Sequence, residues 1–168
     1  MRDPWILVTF ETIFKRYSGH DPAMIKLEAF LPYRLSVLAN QVSQGIAQTY
    51  SERFGLSITE WRVIAILGRF ENIPATAVAE RAAMDKVAVS RAVRHLLDLR
   101  LIHRRDGRED RRAKPLALTH AGRRVYEAIA PAALDFEARL LAVLSPAERR
   151  SLNRILDKLL EATGEEHI

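Results

Sequence analysis

The fold is decided by residues 84–114, which read MDKVAVSRAVRHLLDLRLIHRRDGREDRRAK. This stretch holds ten Lys and Arg residues against five Asp and Glu residues, whereas the rest of the chain holds 16 of each. The net charge of +5 that the 168 residues carry is therefore confined to this basic segment. A neutral body with one basic segment is typical of a surface that binds a polyanion. The alternative, from charge alone, is a solvated charged loop.

The first half of the basic segment predicts an amphipathic helix that Asp85 caps. At about 100° per residue, apolar side chains fall on one side of the helix and cationic or hydrogen-bonding side chains on the other. The apolar side holds Val89, Ala92, Val93, Leu96 and Leu99. The opposite side holds Lys86, Val87, Ser90, Arg91 and Arg94. An ordinary surface helix also turns its charges outward, but it less often shows three cations and no acid in the nine residues after its cap.

The second half of the basic segment predicts a β-hairpin. One strand covers 101–105, and the returning strand covers 113–118. The loop between them, 106–112, reads DGREDRR and begins with Asp-Gly, which is a strong turn signal. The segment therefore consists of a cationic helix followed by a basic hairpin.

Three helices are predicted ahead of the basic segment. The first covers 31–54, and the second begins at a capping box of Ser57 and Glu60 and runs to about Arg69. A short third helix, with Thr76 as its N-cap, leads through a tight link into the cationic helix.

Two further helices are predicted after the hairpin. Thr119 caps the first, which runs to about residue 144 and which Pro131 should kink. The second begins at Ser145 as N-cap, with Pro at its first position and Glu148 completing the cap. The chain is thus expected to be mainly α with a small β-hairpin.

A short helix, a tight turn, a cationic helix and a basic hairpin make up a winged helix-turn-helix. A helix fits the major groove of duplex DNA, and its N-terminal side chains can reach base edges there. Lys86, Val87, Ser90, Arg91 and Arg94 are the candidate residues on this helix. Thr76 can assist at a phosphate, since helix N-termini hold phosphates. In the hairpin loop, the cations that can reach the neighbouring backbone or the minor groove are Arg108, Arg111 and Arg112.

At these residues the sequence resembles the MarR family of winged-helix transcriptional regulators. The matching stretches are LSITEWRV at 56–63, AVSRAVRHL at 88–96, LIHR at 101–104 and DGREDRRAKPLALTHAG at 106–122. The last is the most specific, because the family's wing has an Asp, then Asp-Arg-Arg, a leucine pair and Leu-Thr-x-x-Gly. Those positions here are Asp106, Asp110, Arg111, Arg112, Leu116, Leu118, Thr119 and Gly122. The resemblance covers about residues 30–162.

The resemblance implies a homodimer whose first and last helices intertwine and whose two winged domains bind one pseudo-palindromic operator. It also implies that Asp106 and Asp110 belong to the structure of the wing, with Asp110 pairing with Arg112 while Arg111 faces DNA. The expected organisation is an N-terminal extension at 1–29, a dimerisation helix at 30–54, the winged helix-turn-helix DNA-binding domain at 55–118, C-terminal dimerisation helices at 119–162 and a tail at 163–168. Apolar faces at both ends, Leu35/Leu38/Val42 and Leu152/Ile155/Leu156/Leu159/Leu160, favour a dimer independently. The alternative is that these helices pack on each other within a monomer.

Many members of the family release DNA when a small, often anionic aromatic effector binds between the dimerisation helices and the DNA-binding domain. Trp61 and Arg62 are the candidates for such a pocket. Trp61 is more often a core residue between helices, and Arg62 can pair with an anion or simply reach solvent. The sequence names neither the effector nor the operator.

Composition argues against an enzyme. The chain has no cysteine, and its five histidines show neither HExxH spacing nor a cluster with carboxylates. Its seven glycines form no phosphate-binding loop, so no metal or cofactor is expected. No stretch reaches the roughly 18 apolar residues of a membrane span, which favours a cytoplasmic protein. The remaining alternative is a non-specific architectural or RNA-binding protein, although the deep and narrow major groove of A-form RNA would not admit the cationic helix.

Overall fold

A computed structural model describes residues 25–105 and 114–164. Over these residues the chain is mainly helical, with seven helices and one two-stranded antiparallel sheet, as predicted. The elements are α1 (Leu31–Ala47), α2 (Ser51–Phe54), α3 (Ile58–Arg69), α4 (Ala75–Ala82), α5 (Lys86–Asp98), β1 (Ile102–Arg104), β2 (Leu116–Leu118), α6 (His120–Leu141) and α7 (Pro146–Ala162). None of these helices is long and apolar enough to cross a membrane.

The chain divides into two compact units, residues 1–40 and 41–168. The described part of the first unit is a turn at 27–29 followed by the beginning of α1. The second unit holds the remaining elements and the hydrophobic core. The helix-turn-helix, the hairpin and the cavities that they line lie within this second unit.

The helix predicted over 31–54 is interrupted between α1 and α2. The Thr49 hydroxyl donates a hydrogen bond to the carbonyl of Ile46 (2.7 Å), and Tyr50 turns into the core with 1% of its surface exposed. Burial of the Tyr50 ring and local side-chain bonding by threonine therefore prevail over helix continuation. Gly55 ends α2 in the left-handed conformation, with φ at 64°, a backbone geometry that glycine adopts without steric cost.

The helix-turn-helix consists of α4, a tight turn and α5. The predicted N-cap of α4, Thr76, is wrong: α4 begins at Ala75, and Pro74 is its N-cap with extended backbone and a fixed φ. Ala83 ends α4 with φ at 48°, which turns the chain sharply toward α5. Asp85 caps α5 as predicted, its carboxylate accepting a hydrogen bond from the Ala88 N–H (2.9 Å).

The hairpin is antiparallel and shorter than predicted. Ile102 pairs with Leu118, and Arg104 pairs with Leu116. Leu116 also forms a bridge with Ile73, which attaches the hairpin to the segment before α4. The sheet therefore closes one end of the helix-turn-helix core.

The Leu-Thr-x-x-Gly motif joins the hairpin to α6. The Thr119 hydroxyl caps α6 by accepting from the Gly122 N–H (3.0 Å) and itself donates to the Arg100 carbonyl (2.7 Å). A Cβ on Gly122 would lie 1.9 Å from the carbonyl oxygen of Leu101, so only glycine allows this approach of α6 to the hairpin. The motif is thus explained by packing, and α6 contains Pro131 as predicted.

The last helix begins as the sequence predicts. Ser145 and Glu148 form a capping box, and Pro146 occupies the first helical turn. Among α7 residues none is buried, and the apolar side chains of its last three turns are exposed, at Ile155, Leu156, Leu159 and Leu160.

The core lies between α3, α4, α5, α6 and the hairpin. Its fully buried large side chains are Tyr50, Val63, Ile64, Leu67, Val78, Val89, Leu96, Ile102, Leu116 and Ile129. α5 packs its apolar side against this core, which fixes the direction in which the opposite side of the helix faces.

Candidate nucleic-acid interface

The outward side of α5 carries the residues predicted to bind DNA. Val89, Ala92, Val93 and Leu96 are buried, as the helical pattern predicts, whereas Leu99, predicted on the same side, lies just beyond the end of α5 and is exposed. The exposed side of the helix carries Lys86, Val87, Ser90, Arg91 and Arg94. These five residues form the reading face of α5. Val87 is its apolar member, with 56% of its surface exposed, and an apolar side chain there can contact a thymine methyl group.

A groove of about 350 Å³ runs between α4 and α5 beside the reading face. Thr76 of α4 lines this groove together with Lys86, Ser90 and Arg94, so the structure brings these four predicted residues together. Arg104 of β1 lines the same groove and was missed by the sequence interpretation. Strand alternation gives no signal for it, because Arg104 and the buried Ile102 are two residues apart and therefore lie on the same face of β1.

The base of the hairpin is held by a contact that the sequence did not predict. Arg105 donates to the Asn72 side-chain oxygen (3.0 Å), and the Arg105 N–H donates to the Pro115 carbonyl (2.8 Å). The predicted wing residues Asp106, Arg108, Asp110, Arg111 and Arg112 lie outside the described residues.

A buried carboxylate ties α3 to α5. Glu60 is 7% exposed and its carboxylate is hydrogen-bonded to Nδ1 of His95, which lies on α5 next to the reading face. The same carboxylate accepts the Ser57 N–H (2.7 Å). Burial alone would raise the pKa of Glu60, but the hydrogen bonds from the Ser57 backbone, from His95 and from the Ser57 side chain together hold it below its ordinary value. The carboxylate is therefore ionised and holds α5 against α3.

Trp61 lies between two tyrosines. Its ring centroid is 5.6 Å from that of Tyr50 and 6.1 Å from that of Tyr126, on which it stacks. Trp61 is half-buried and packs on the core, and it also lines a small cavity of about 140 Å³. The cavity is lined by Ser43, Ile46, Tyr50, Ile58, Trp61, Arg62 and Ala65. Trp61 therefore both packs on the core and lines the cavity, so the two interpretations of this residue do not exclude each other.

Arg62 lines the same cavity and does not simply reach solvent. Its Nη1 donates to the carbonyl oxygen of Ala82 (3.0 Å), the last residue of α4, and its Nη2 donates to the Ser43 hydroxyl (3.4 Å). A side chain of the cavity thereby reaches the end of the helix that precedes α5.

Tyr50 lines this cavity, and its hydroxyl is buried and has no hydrogen-bond partner among the described residues. Burial raises the pKa of the Tyr50 phenol to about 12, although the Arg62 charge lowers it in part. The hydroxyl is therefore protonated at physiological pH and is an unused donor. The described residues contain no group of His and acidic side chains that could hold a metal ion.

The sequence and the fold are both similar to those of MarR-family transcriptional regulators. The sequence profile of the MarR family matches residues 54–113. The HTH-type transcriptional repressor Rv2887 of Mycobacterium tuberculosis is 26% identical over 131 residues, 77% of this chain and 91% of that protein. Its crystal structure with p-aminosalicylic acid superposes with a TM-score of 0.62 at 24% identity over 78% of this chain and 98% of that one.

Two further crystal structures share the fold. A MarR/EmrR family transcriptional regulator from an Acinetobacter species has a TM-score of 0.76 at 28% identity, covering 84% of this chain and all of that one (100%). The Staphylococcus aureus MepR–DNA complex has a TM-score of 0.72 at 22% identity, covering 80% of this chain and 98% of that one.

The exposed cationic side of α5, the tight turn before it and the hairpin after it define a winged helix-turn-helix transcriptional regulator of the DNA-binding class. Within that class the chain belongs to the MarR family. The resemblance predicted from the sequence is thereby confirmed. Membership also confirms that the protein is a regulator and not an enzyme.

Proposed function

We propose that the protein is a homodimeric repressor that binds a pseudo-palindromic operator in the cytoplasm and releases it when a small anionic aromatic compound binds. The observation that carries the DNA-binding part is the reading face of α5, where Lys86, Ser90, Arg91 and Arg94 are exposed together while the opposite side of the helix is buried. Arg91 and Arg94 can each bind guanine O6 and N7 through two hydrogen bonds.

Phosphate contacts come from the groove and from the wing in this proposal. Thr76 and Arg104 lie beside the reading face, where the DNA backbone passes when α5 occupies the major groove. Arg108, Arg111 and Arg112 are proposed to reach the adjacent minor groove or backbone. Asp106 and Asp110 are proposed to shape the wing, with Asp110 holding Arg112.

The dimer is supported by apolar surfaces that the described chain leaves exposed. On α1 these side chains are Leu31, Leu35 and Leu38, and on α7 they are Ile155, Leu156, Leu159 and Leu160. Large apolar side chains that recur exposed along one side of a helix mark an interface between proteins. Helices at 30–54 and 119–162 are therefore proposed to form the dimer, which places two copies of α5 in successive major grooves about one helical turn apart.

The effector part is supported by the cavity that Trp61 and Arg62 line. The Trp61 ring offers a stacking surface, and the Arg62 guanidinium offers a positive charge to a carboxylate. Rv2887 has been crystallised with p-aminosalicylic acid, an anionic aromatic compound of this kind.

The experiment that tests the proposal begins with selection of bound duplexes from a random pool. Binding of the selected duplex and of a scrambled duplex is then measured over a range of salt concentrations. A specific regulator binds the selected duplex about 10³-fold or more tightly at physiological salt, and both affinities fall steeply with salt. Near-equal affinity for the two duplexes would instead support a non-specific architectural protein. Addition of salicylate or p-aminosalicylate is expected to weaken binding of the selected duplex.

A further inference from the structure

His95 lies at the edge of the reading face that is farthest from the groove between α4 and α5. At about 100° per residue it falls about 40° beyond Arg91 around the helix. At the opposite edge, Lys86, Ser90 and Arg94 line the groove. The His95 side chain is 53% exposed. The imidazole is therefore a surface group on the helix that is proposed to enter the major groove.

A helix in the major groove lies between two phosphate backbones. The groove is about 12 Å wide, and a helix with its side chains is about 10–12 Å across, so side chains at both edges of the reading face come close to phosphates. At the groove edge this position belongs to Thr76 and Arg104, as proposed above. At the other edge it belongs to His95.

Glu60 determines which nitrogen of the His95 ring carries a hydrogen. The Glu60 carboxylate is ionised, and an ionised carboxylate can only accept hydrogen bonds. Because Nδ1 of His95 is bonded to this carboxylate, Nδ1 must carry a hydrogen. In the neutral ring the other nitrogen, Nε2, then has a lone pair and no hydrogen.

The neutral His95 ring is unsuited to a phosphate, whereas the protonated ring is well suited. In the neutral ring, the Nε2 lone pair would face phosphate oxygens that are themselves acceptors. The imidazolium carries a hydrogen on each nitrogen, so it can donate to Glu60 and to a phosphate oxygen at the same time. Histidine is the side chain that most readily changes its charge near physiological pH.

The charges around His95 come from three elements of the described chain. Glu60 faces it from α3, and Arg91 and Asp98 lie about one turn away on α5 itself. The elements that pack most closely against α5 carry six further ionisable side chains, which lie at the groove, over Phe70, at the Ala82 carbonyl or on the far face of β1: Glu80, Arg104, Arg69, Arg81, Arg62 and His103. The Glu60 carboxylate is therefore the ionised group bonded directly to the ring.

From this geometry we infer that His95 binds a DNA phosphate through Nε2 and takes up one proton as it does so, with Glu60 as the residue that positions the ring. The bond that forms joins Nε2–H to a phosphate oxygen, and the proton comes from the solvent, one for each copy of α5 that binds. Since the bound state holds the extra proton, operator affinity falls as the pH rises. The inference rests on the DNA-binding part of the proposed function and adds a contact and a pH dependence to it.

The test uses the full-length protein and its selected operator duplex from about pH 5.5 to 8.5 at constant ionic strength. Fluorescence anisotropy measures the affinity, and calorimetry in phosphate and in Tris, which differ in ionisation enthalpy, measures the protons taken up. Three variants are compared with wild type: His95→Gln, Glu60→Gln and His120→Gln. The last is a matched control, because His120 is exposed at the start of α6 and does not line the groove.

Wild-type operator affinity is expected to fall about tenfold per subunit as the pH rises through this range, which is the effect of one hydrogen bond to a charged group. The dependence of log affinity on log salt should be steeper at low pH by about 0.9 per subunit, since one more phosphate is neutralised there. His95→Gln cannot take up the proton, so its affinity and its salt dependence should not change with pH. His120→Gln should behave as wild type throughout.

Glu60→Gln separates positioning of the ring from simple support of α5. Its amide oxygen can accept the Ser57 N–H while its amide nitrogen donates to Nδ1 of His95. The neutral ring then carries its hydrogen on Nε2 and can bind a phosphate without taking up a proton. Glu60→Gln is therefore expected to bind the operator more tightly than wild type near pH 8 and to show a flatter pH profile.

Three results would overturn the inference. A wild-type affinity that is constant or rises with pH would mean that no proton is taken up. A wild-type pH profile in His95→Gln would place the proton on another group, and one in Glu60→Gln would mean that Glu60 does not set the hydrogen positions. Should His95→Gln not fold, His95→Arg decides: its permanent charge should make operator affinity independent of pH, and a wild-type profile would again overturn the inference.

Failure of the proposed function gives a different result. If the selected and scrambled duplexes bind equally well, the protein is not a sequence-specific regulator. Phosphate contacts carry no sequence information, so the proton uptake by His95 would then be measured equally with either duplex.

Discussion

Glu60 is a buried acid whose ionisation stabilises the winged domain. Its carboxylate accepts the Ser57 N–H and pairs with His95, and these bonds hold its pKa below the ordinary value of 4.5. A group whose pKa is lower in the folded chain adds stability above its unfolded pKa, and this stability is lost as the pH falls through the folded-state pKa. The winged domain should therefore lose stability on acidification below about pH 4.5.

Glu60→Gln tests this dependence. The amide keeps an acceptor for the Ser57 N–H but loses the charge, so we expect the free energy of unfolding at pH 7 to fall by about 1–2 kcal/mol. Urea unfolding measured from pH 3 to 7 should show a smaller acid-induced loss for the variant than for wild type. Glu52→Gln, on the exposed surface of α2, is the control. Parallel pH profiles for Glu60→Gln and wild type would contradict the prediction.

Gly122 is the residue at which α6 approaches the hairpin most closely. An added Cβ would meet the Leu101 carbonyl oxygen at 1.9 Å, and the contact atom is backbone, which cannot turn aside as a side chain can. Gly122→Ala should therefore lower the free energy of unfolding by about 1–3 kcal/mol, measured by urea denaturation. Arg124→Ala, exposed on the same turn of α6, should change it little. Equal stability of the two variants would mean that the backbone relaxes freely at Gly122.

The α5 element combines a buried side that fixes the helix with a reading face that is free to bind. We expect Arg91→Ala and Arg94→Ala each to weaken binding of the selected operator by about 1–3 kcal/mol without changing the unfolding midpoint. Arg150→Ala removes the same charge from the exposed surface of α7 and serves as the control for non-specific electrostatics. If the α5 variants lose no more affinity than this control, the reading face has been assigned to the wrong side chains.

Helices with strong local signals could be predicted from the sequence, and elements that depend on distant contacts could not. The caps of α3, α5, α6 and α7 were predicted because a cap bonds within three residues of itself. The start of α4 was misplaced because Thr76 is a preferred N-cap residue, whereas Pro74, which occupies the N-cap position, has no side chain that can cap the helix. The break before α2 was missed because it depends on burial of Tyr50 in a core formed by later residues.

In the DNA-binding site, too, features that depend on local sequence could be predicted, and contacts between residues distant in the sequence could not. The reading face of α5 follows from helical periodicity, and the structure brings Thr76 to it across the turn. The pairs Glu60–His95 and Arg62–Ala82 are separated by 35 and 20 residues, so no local pattern indicates them. The acceptor of the second pair is the backbone carbonyl of Ala82, and because every residue has such a carbonyl, the sequence does not indicate this bond.

For the whole molecule, the exposed apolar side of α7 is expected to be the surface that joins two chains. Leu156 and its apolar neighbours lie on one side of the helix, while Lys158 lies about 200° away on the other. A charge within an apolar interface stays buried without a partner, which strongly disfavours association. Leu156→Glu should therefore shift the protein from dimer to monomer, as measured by sedimentation velocity, whereas Lys158→Glu should leave the dimer intact.

Loss of the dimer should lower operator affinity even if each winged domain is unchanged, because a monomer presents only one copy of α5 to one half-site. Leu156→Glu should then bind the selected operator far more weakly than wild type but bind an isolated half-site about as well as a wild-type subunit does. If Leu156→Glu stays dimeric, the partner surface lies elsewhere on the chain. If it becomes monomeric and keeps full operator affinity, one subunit suffices for recognition and the two-fold symmetry of the operator has no role.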